Sequence, residues 1–316
     1  MVLGMRTVLV QRGAFAVLPV VVVLGACVSV DTSSDSEEDT PRIVVTTNIL
    51  GDVVRNLVGD DAEVEVVMPP NADPHDFAPS ARQAQAMREA DVLVINGLGF
   101  EAGLVDTIDA AEDDGVTVLT ATDAVDPLPL GPDAGEEQGT PDPHVFTDPA
   151  RMALVAEALT DELAAAVDGL DTAAFRNHAQ AYTADLAALD AEVEQILAPV
   201  PPERRVLVTN HDVFGYFAER YGFEILGAVI PAGSTLAEPS AADLDDLATL
   251  IADSGVPAVF ADTSAPSRLA DALAAEGADV EVVDLYSESL GDAGSDGATY
   301  VDMVRTNAHR IADALT

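Results

Sequence analysis

The sequence predicts an α/β protein: two βα lobes with parallel sheets, joined by one long rigid helix. Three observations carry this. From Arg42 onward, short β-rich runs alternate with longer helical stretches. Strands separated by helices of this length form parallel βαβ units. Near the middle of the chain, TAAFRNHAQAYTADLAALDAEVEQILA runs for about 27 residues without Gly or Pro, which as a helix is about 40 Å long. PVPPERR then stops that helix, and the alternation resumes to the C-terminus.

The first segment differs from everything after it. Arg6 and Arg12 precede an apolar run over 14–26, and no acid occurs before Asp31. A short positive region followed by such a run reads as an export signal. It ends Leu24-Gly25-Ala26-Cys27, small residues ahead of the only cysteine. This ending resembles the lipobox of bacterial lipoproteins, whose cysteine is acylated and becomes the new N-terminus. Residues 1–26 are therefore expected to be a cleaved lipoprotein signal, with Cys27 the lipidated residue. An uncleaved anchor is the alternative, since roughly 17 apolar residues can just span a bilayer; plain secretion is another. Pro19 and the small-residue ending favour cleavage. Residues 27–41 include SVDTSSDSEEDT, polar and acidic, and read as a flexible solvated tether.

In the N-terminal lobe, residues 42–170, the strands are RIVVTTN, EVEVVMP, DVLVING and VTVLTA. Helices are predicted near 50–58 and over 82–90, with NADPHDFAPSA as the loop between them. Residues 126–143, DPLPLGPDAGEEQGTPDP, are rich in Pro, Gly and acids and read as a surface loop. Helical periodicity returns over 149–168. Asp171 or Thr172 is placed to cap the connecting helix of residues 171–199. In the C-terminal lobe, residues 200–316, RVLVTN, FEILGAVI, AVFAD and VEVVDLY are strands. Helices are expected at 213–221, 240–253, 266–276 and 298–315. No short sequence repeat relates the halves.

Charge removes whole function classes. All 14 basic residues are Arg, against 56 acids, for a net charge of −42. Phosphates would be repelled, which excludes a nucleic-acid binder. A basic patch for anionic lipid is equally absent. One Cys excludes a disulfide framework and a Cys-rich zinc cluster. At 48% hydrophobic, the chain has enough apolar material for a sizeable core despite its charge.

Of the five histidines, His178 lies mid-helix and His309 in the last helix, as ordinary surface or packing residues. The other three fall in loops. His75 and His144 share a context, Asp73-Pro74-His75 and Asp142-Pro143-His144, in which Pro fixes the backbone before each ring. His211 follows the strand RVLVTN, and Glu288 follows VEVVDLY in the loop SESLGDAG. Sites in open α/β sheets form outside the carboxyl ends of strands. Two facing lobes would thus bring the four residues into one interlobe cleft. Three imidazoles and a carboxylate suit a borderline divalent metal such as zinc. The competing reading leaves the loop histidines solvent-exposed and unrelated, since no HExxH or CxxC motif accompanies them. Asp73 and Asp142 are placed to orient imidazoles from behind, or are exposed turn residues. Asp212, beside His211, is expected to support that ligand or cap a helix.

From Ile43 to the C-terminus the chain resembles the zinc- and manganese-binding solute receptors of bacterial ABC transporters, the ZnuA/TroA type. The resemblance rests on NADPHDFAPS with NGLGFE at 96–101, DPHVFTDP at 142–149, TNHDVFGYFAERYGF at 209–223 and LYSESLGDAGSDGATYVDMVRTN at 285–307. It implies an extracytoplasmic receptor, lipid-anchored or periplasmic, that hands metal to a membrane permease for uptake; the receptor is expected to be a monomer. It also implies His75, His144, His211 and Glu288 as ligands. Manganese-selective relatives often carry Glu at the third position, so His211 leans towards Zn2+ over Mn2+. Glu288 stands where the family commonly has Asp, and Phe146 replaces a usual Trp. Residues 131–141 hold no His, so no second, low-affinity site is expected. From other classes, a secreted zinc-dependent hydrolase would need an open position for water and a base such as Asp212. A metal-binding adhesin is a further alternative.

Without residues 1–26, 12 Arg face 56 acids, a net −44. Most of these acids must lie unpaired on the surface, where they repel one another. The Debye length falls from about 10 Å at 0.1 M salt to about 3 Å at 1 M. The melting temperature should therefore rise steeply over that range of sodium chloride, measured with metal saturating; a flat series would show that self-repulsion does not limit stability.

Overall fold

The computed structural model describes residues 40–230, 232, 233, 235, 236, 241–263 and 280–316. The predicted signal, Cys27, the tether up to residue 39 and the predicted helix at 266–276 lie outside the described residues.

Two four-stranded parallel sheets share one strand order. In the first, β1 (Arg42–Val45) lies between β2 (Glu63–Val66) and β3 (Val92–Ile95), with β4 (Thr117–Thr120) outside β3. In the second, β5 (Val206–Thr209) lies between β6 (Glu224–Ala228) and β7 (Ala258–Asp262), with β8 (Glu281–Leu285) outside β7. The halves therefore repeat a topology that no sequence repeat announces.

Strand alternation assigns the core. Ile43 and Val45 enter one large cluster, whereas Val44 faces a smaller one with Met87, Leu93, Leu104 and Ile108. In the second sheet Leu207 and Phe260 join the same large cluster, whereas Val208 and Val259 face Leu247 and Ile251. The large core is thus continuous through both lobes.

Local chemistry starts and stops the helices. The Thr47 hydroxyl accepts from the Leu50 amide at 3.2 Å and caps α1 (Asn48–Val58). Ser80 and Gln83 form a capping box at α2 (Ala81–Arg88). α3 (Val105–Asp113) was not legible in the sequence, because only Ile108 and Ala111 of this acidic segment are buried, too narrow a stripe to register. Asp148 caps α4 (Pro149–Ala166), with Pro149 at the first helical position. Thr172 caps α5 (Ala173–Leu197), accepting from Phe175 N at 3.0 Å. α6 (Gly215–Tyr221) stops at Gly222, whose φ of 70° suits a residue without Cβ. α7 (Ala241–Ser254) covers the outer face of the second sheet. Thr299 caps the last helix, α8 (Tyr300–Leu315).

The long helix is 25 residues, about 37 Å. Phe175, Ala179, Tyr182, Leu186, Leu189, Val193 and Leu197 are buried along one stripe, three and four residues apart. That stripe packs against α1, α4 and α8, so both lobes rest on it. Ion pairs tie it to neighbouring helices, among them Arg305 of α8 with Glu192 at 2.8 Å and Arg220 of α6 with Asp190. His178 and His309 are exposed.

Residues 126–143 are more ordered than a solvated surface loop. Leu130 N donates to Thr140 O at 2.8 Å, Gly139 N to Leu130 O at 3.0 Å and Asp142 N to Leu128 O at 2.7 Å, which zips the segment into a hairpin-like flap. Leu130, Ala134 and Asp142 are buried. The flap reaches the other lobe: Gly131 N donates to Asp212 Oδ2 at 2.9 Å, and Gly233 N to Glu137 Oε2 at 2.9 Å. Its Pro, Gly and acids are used for backbone turns and for these bonds rather than for solvation alone.

Because one core spans both lobes, thermal unfolding should be a single transition. Leu186→Ala, at a fully buried position of the connecting helix, should destabilise the protein by about 2–5 kcal/mol. Calorimetry showing two separated transitions, only one of them lowered by this change, would make the lobes independent.

Candidate metal centre

The site is assembled from four loops at the carboxyl ends of strands, two from each lobe. His75 lies in the loop after β2 and His144 in the segment after β4. His211 follows β5 by two residues and Glu288 follows β8 by three. In both Asp-Pro-His segments the Asp Oδ1 accepts the His backbone N–H at 2.9 Å, which closes a local turn and sets the direction of the ring. His211 is held through its carbonyl, which accepts from Thr209 Oγ1 at 2.8 Å and Val213 N at 2.9 Å. Glu288 is flanked by two anchored serines: Ser287 donates to Asp262, and Ser289 Oγ accepts from Asn48 Nδ2 at 2.8 Å.

All four side chains converge. Nε2 of His75, His144 and His211 lie 2.7, 3.2 and 3.2 Å from the same oxygen, Glu288 Oε1. Histidine ring centroids are 5.6–6.0 Å apart, and the four potential ligand atoms lie within 4.8 Å of one another. His144 and His211 are fully buried and His75 and Glu288 nearly so. Among the described residues, both ring nitrogens of His211 and Glu288 Oε2 have no hydrogen-bond partner. Orphaned polar atoms of this kind are costly unless a further group satisfies them. A cation at their common focus would do so.

The electrostatics point the same way. Burial pushes Glu288 up, but the surrounding imidazoles, His211 and His75 first, hold it well below the usual carboxylate range. Burial also pushes His144 down, but Asp142 and then Glu288 outweigh it and raise that imidazole to about 10. The anionic partner at 2.7 Å is Asp142 Oδ1, on His144 Nδ1. That contact fixes a proton on Nδ1; without a metal the acids also hold a proton on Nε2, and a cation that displaces it meets the Nε2 lone pair at the focus, the tautomer a metal needs.

The three supporting acids do different things. Asp142 holds the His144 ring, and its Oδ2 is 2.9 Å from where a Cβ on Gly215 would stand, so only glycine lets α6 approach this closely. Asp73 makes no bond to a ring; its Oδ2 accepts from Thr235 Oγ1 at 2.6 Å and ties the His75 loop to the other lobe. Asp212 does not cap α6, whose N-cap is Phe214; it holds the flap at Gly131. Apolar walls complete the site. Phe100 meets His75 and His144 edge-on, with centroids 5.3 and 5.7 Å away, and Phe146 meets His144 at 5.9 Å.

Sequence reasoning missed two supporting residues. The Asn48 side chain donates to Pro69 O and Ser289 Oγ and accepts from Leu290 N at 2.7 Å, linking the start of α1 to the Glu288 loop. Its signal was the polar TTN that ends an apolar strand. Tyr216 OH donates to Asp142 O at 2.7 Å and accepts from Leu128 N at 3.1 Å, which fixes the His144 segment from the other lobe. Nothing local in the sequence marks that contact.

The family described as "Zinc-uptake complex component A periplasmic" matches residues 43–314. The chain belongs to this family. Zinc-binding protein TroA of Treponema pallidum (strain Nichols) is 34% identical, over 91% of this chain and 92% of TroA. The solved periplasmic zinc-binding protein TroA from that organism superposes with a TM-score of 0.78 at 33% identity, covering 88% of this chain and 99% of its own. Manganese-binding lipoprotein MntA of Halalkalibacterium halodurans is 27% identical, over 96% and 98% of the two chains. The manganese ABC transporter substrate-binding lipoprotein PsaA of Streptococcus pneumoniae is 27% identical, over 92% and 93%. The two-lobed parallel-sheet architecture is therefore that of the zinc-uptake component family.

Asp142→Asn keeps the shape but removes the charge that orients His144. Metal affinity should fall about 10–100-fold, as for other residues that orient a ligand from behind. Asp73→Asn, which touches no ring, should cost much less. Calorimetric titration of both variants makes the comparison; equal losses would remove the distinction between the two Asp-Pro-His segments.

Proposed function

We propose that this chain is the extracytoplasmic receptor of a metal-uptake ABC transporter. Its cargo is a divalent cation, zinc, held by His75, His144, His211 and Glu288 and passed to the membrane permease. The observation that carries the reading is the buried convergence of three imidazole nitrogens on one carboxylate oxygen, with the His211 ring nitrogens and Glu288 Oε2 making no hydrogen bond. A tetrahedral zinc with bonds of 2.0–2.2 Å puts its ligand atoms about 3.3 Å apart. The three nitrogens stand 2.7–3.2 Å from Glu288 Oε1, and all four atoms lie within 4.8 Å of one another, so capture needs only local adjustment of side chains.

Four protein ligands leave no open position for an activated water, which favours holding the ion over using it. Membership of an uptake-component family places the chain outside the hydrolases. The choice of zinc rests on the donor set: three imidazoles suit zinc better than manganese, which favours harder oxygen donors. A relative named for zinc and relatives named for manganese both support a divalent cargo.

We further propose that Cys27 carries lipid and tethers a monomeric receptor to the outer face of the cell membrane. The lipobox-like LGAC supports this, as do relatives named lipoproteins. Among the described residues no helix is long and apolar enough to cross a membrane.

The experiment is elemental analysis and titration of the gently purified protein, with mass spectrometry of its N-terminus. One zinc per chain and a chain starting at acylated Cys27 are expected. His144→Ala and His75→Ala should weaken zinc binding by orders of magnitude, and His178→Ala should leave it unchanged. Retention of metal by His144→Ala would refute the ligand set.

A further inference from the structure

The loop between β3 and α3 carries a residue in an unfavourable backbone conformation. Leu98 has a φ of 54°, between Gly97 at 94° and Gly99 at 80°. Glycine adopts positive φ without strain, whereas a leucine side chain crowds its own backbone there. For a bulky residue such a φ is an outlier, and outliers persist only where the surrounding structure enforces them.

Core packing does not explain this one. Leu98 is 40% exposed. Nothing lies within 4 Å of where a Cβ on the neighbouring Gly99 would stand, so the tip of the loop projects into open space. The base of the loop is held firmly. Glu101, 3% exposed, accepts from Asn96 N at 2.5 Å, Gly97 N at 3.2 Å and Thr46 Oγ1 at 2.7 Å. A buried carboxylate thus locks a turn that a glycine at position 98 would form with less strain. What leucine adds there is a partly exposed apolar side chain.

The position of the loop names its partner. It follows the carboxyl end of β3, the same end of the sheet from which the His75 loop emerges. Phe100, two residues beyond Leu98, is the wall against His75 and His144. The metal is held at this end of the lobes and must leave from it, so whatever accepts the metal has to cover this face. We infer that Leu98 is a docking knob, which inserts into an apolar pocket on the outer face of the membrane permease. This rests on the receptor reading given above.

The test compares Leu98→Gly and Leu98→Met in the full, lipid-anchored chain, expressed with its permease in cells lacking the native copy. Three quantities are read: melting temperature, zinc affinity of the purified variant, and uptake of radioactive zinc. Leu98→Gly should leave the melting temperature equal or higher, because strain is relieved. Its zinc affinity should stay within about twofold, and uptake should fall about tenfold, as for truncation of an apolar anchor at an interface. Leu98→Met keeps an apolar knob and should keep uptake within about twofold. Leu98→Gly driving uptake at the unsubstituted rate would overturn the docking role. So would a loss of zinc affinity that matches the loss of uptake, since Leu98 would then act on the site. Failure of the unsubstituted chain to drive any zinc uptake is a separate outcome: it refutes the receptor reading and the knob with it.

Discussion

A carboxylate buried among three imidazoles is the constraint around which this molecule is organised. Glu288 is 2% exposed, and an isolated charge at that depth would be very costly. It is tolerable because His75, His144 and His211 surround one of its oxygens from three directions. Those residues are 67 to 213 positions apart along the chain, so no local structure can gather them. Two sheets must present the carboxyl ends of their strands to each other, and the loops must be held there against the mutual repulsion of an acid-rich surface. Like any buried ionic cluster, it is better read as a specific arrangement than as a source of stability. Its unpartnered atoms mark where further bonding is available.

The remainder of the fold supplies that holding. One hydrophobic core runs through both lobes, and the connecting helix lies along it. Bonds between the lobes concentrate near the site. Asn48 reaches Ser289 and Leu290, Tyr216 reaches Asp142, Tyr300 OH donates to Phe146 O at 2.8 Å, and Asp52 accepts from Tyr300 N at 2.9 Å. A wide rotation of one lobe would break these bonds and divide a close-packed core. Movement of the loops bearing His211 and Glu288 breaks their local bonds, Asn48 to Ser289 and Leu290 among them, but leaves the shared core intact. A carrier that must hold an ion tightly and still release it is served by this division between a stiff frame and loops that each bring one candidate ligand.

Charge plays a different part on the surface. The Arg residues engaged in ion pairs are mostly partly exposed, as with Arg88 and Asp114 or Arg176 and Asp161, and such pairs contribute little each. With 56 acids to 14 Arg, the surplus cannot be paired. It gives the molecule a strongly negative field, which raises the local concentration of cations around the cluster proposed to hold one.

The pattern of strand and helix was legible because its signals are local. Apolar runs such as VLVI at 92–95 and VLVT at 206–209, Thr47, Ser80 and Thr172 as caps, and the uninterrupted stretch of the long helix each report on a few neighbouring residues. The candidate ligands were legible for a related reason: histidines are few, and Asp-Pro-His occurs twice at strand ends. α3 escaped because its buried stripe is two residues wide, and the flap at 126–143 because loop-forming residues look the same whether their partners are water or another lobe. The roles of the acids differed for the same cause. Asp73 and Asp142 have identical local sequence, yet one finds a hydroxyl of the opposite lobe and the other an imidazole. Composition and spacing specify which groups are available within a few residues. Which partner each group meets is set by the approach of two distant sheets, and that approach is governed by the shared core, whose contacts join residues hundreds of positions apart.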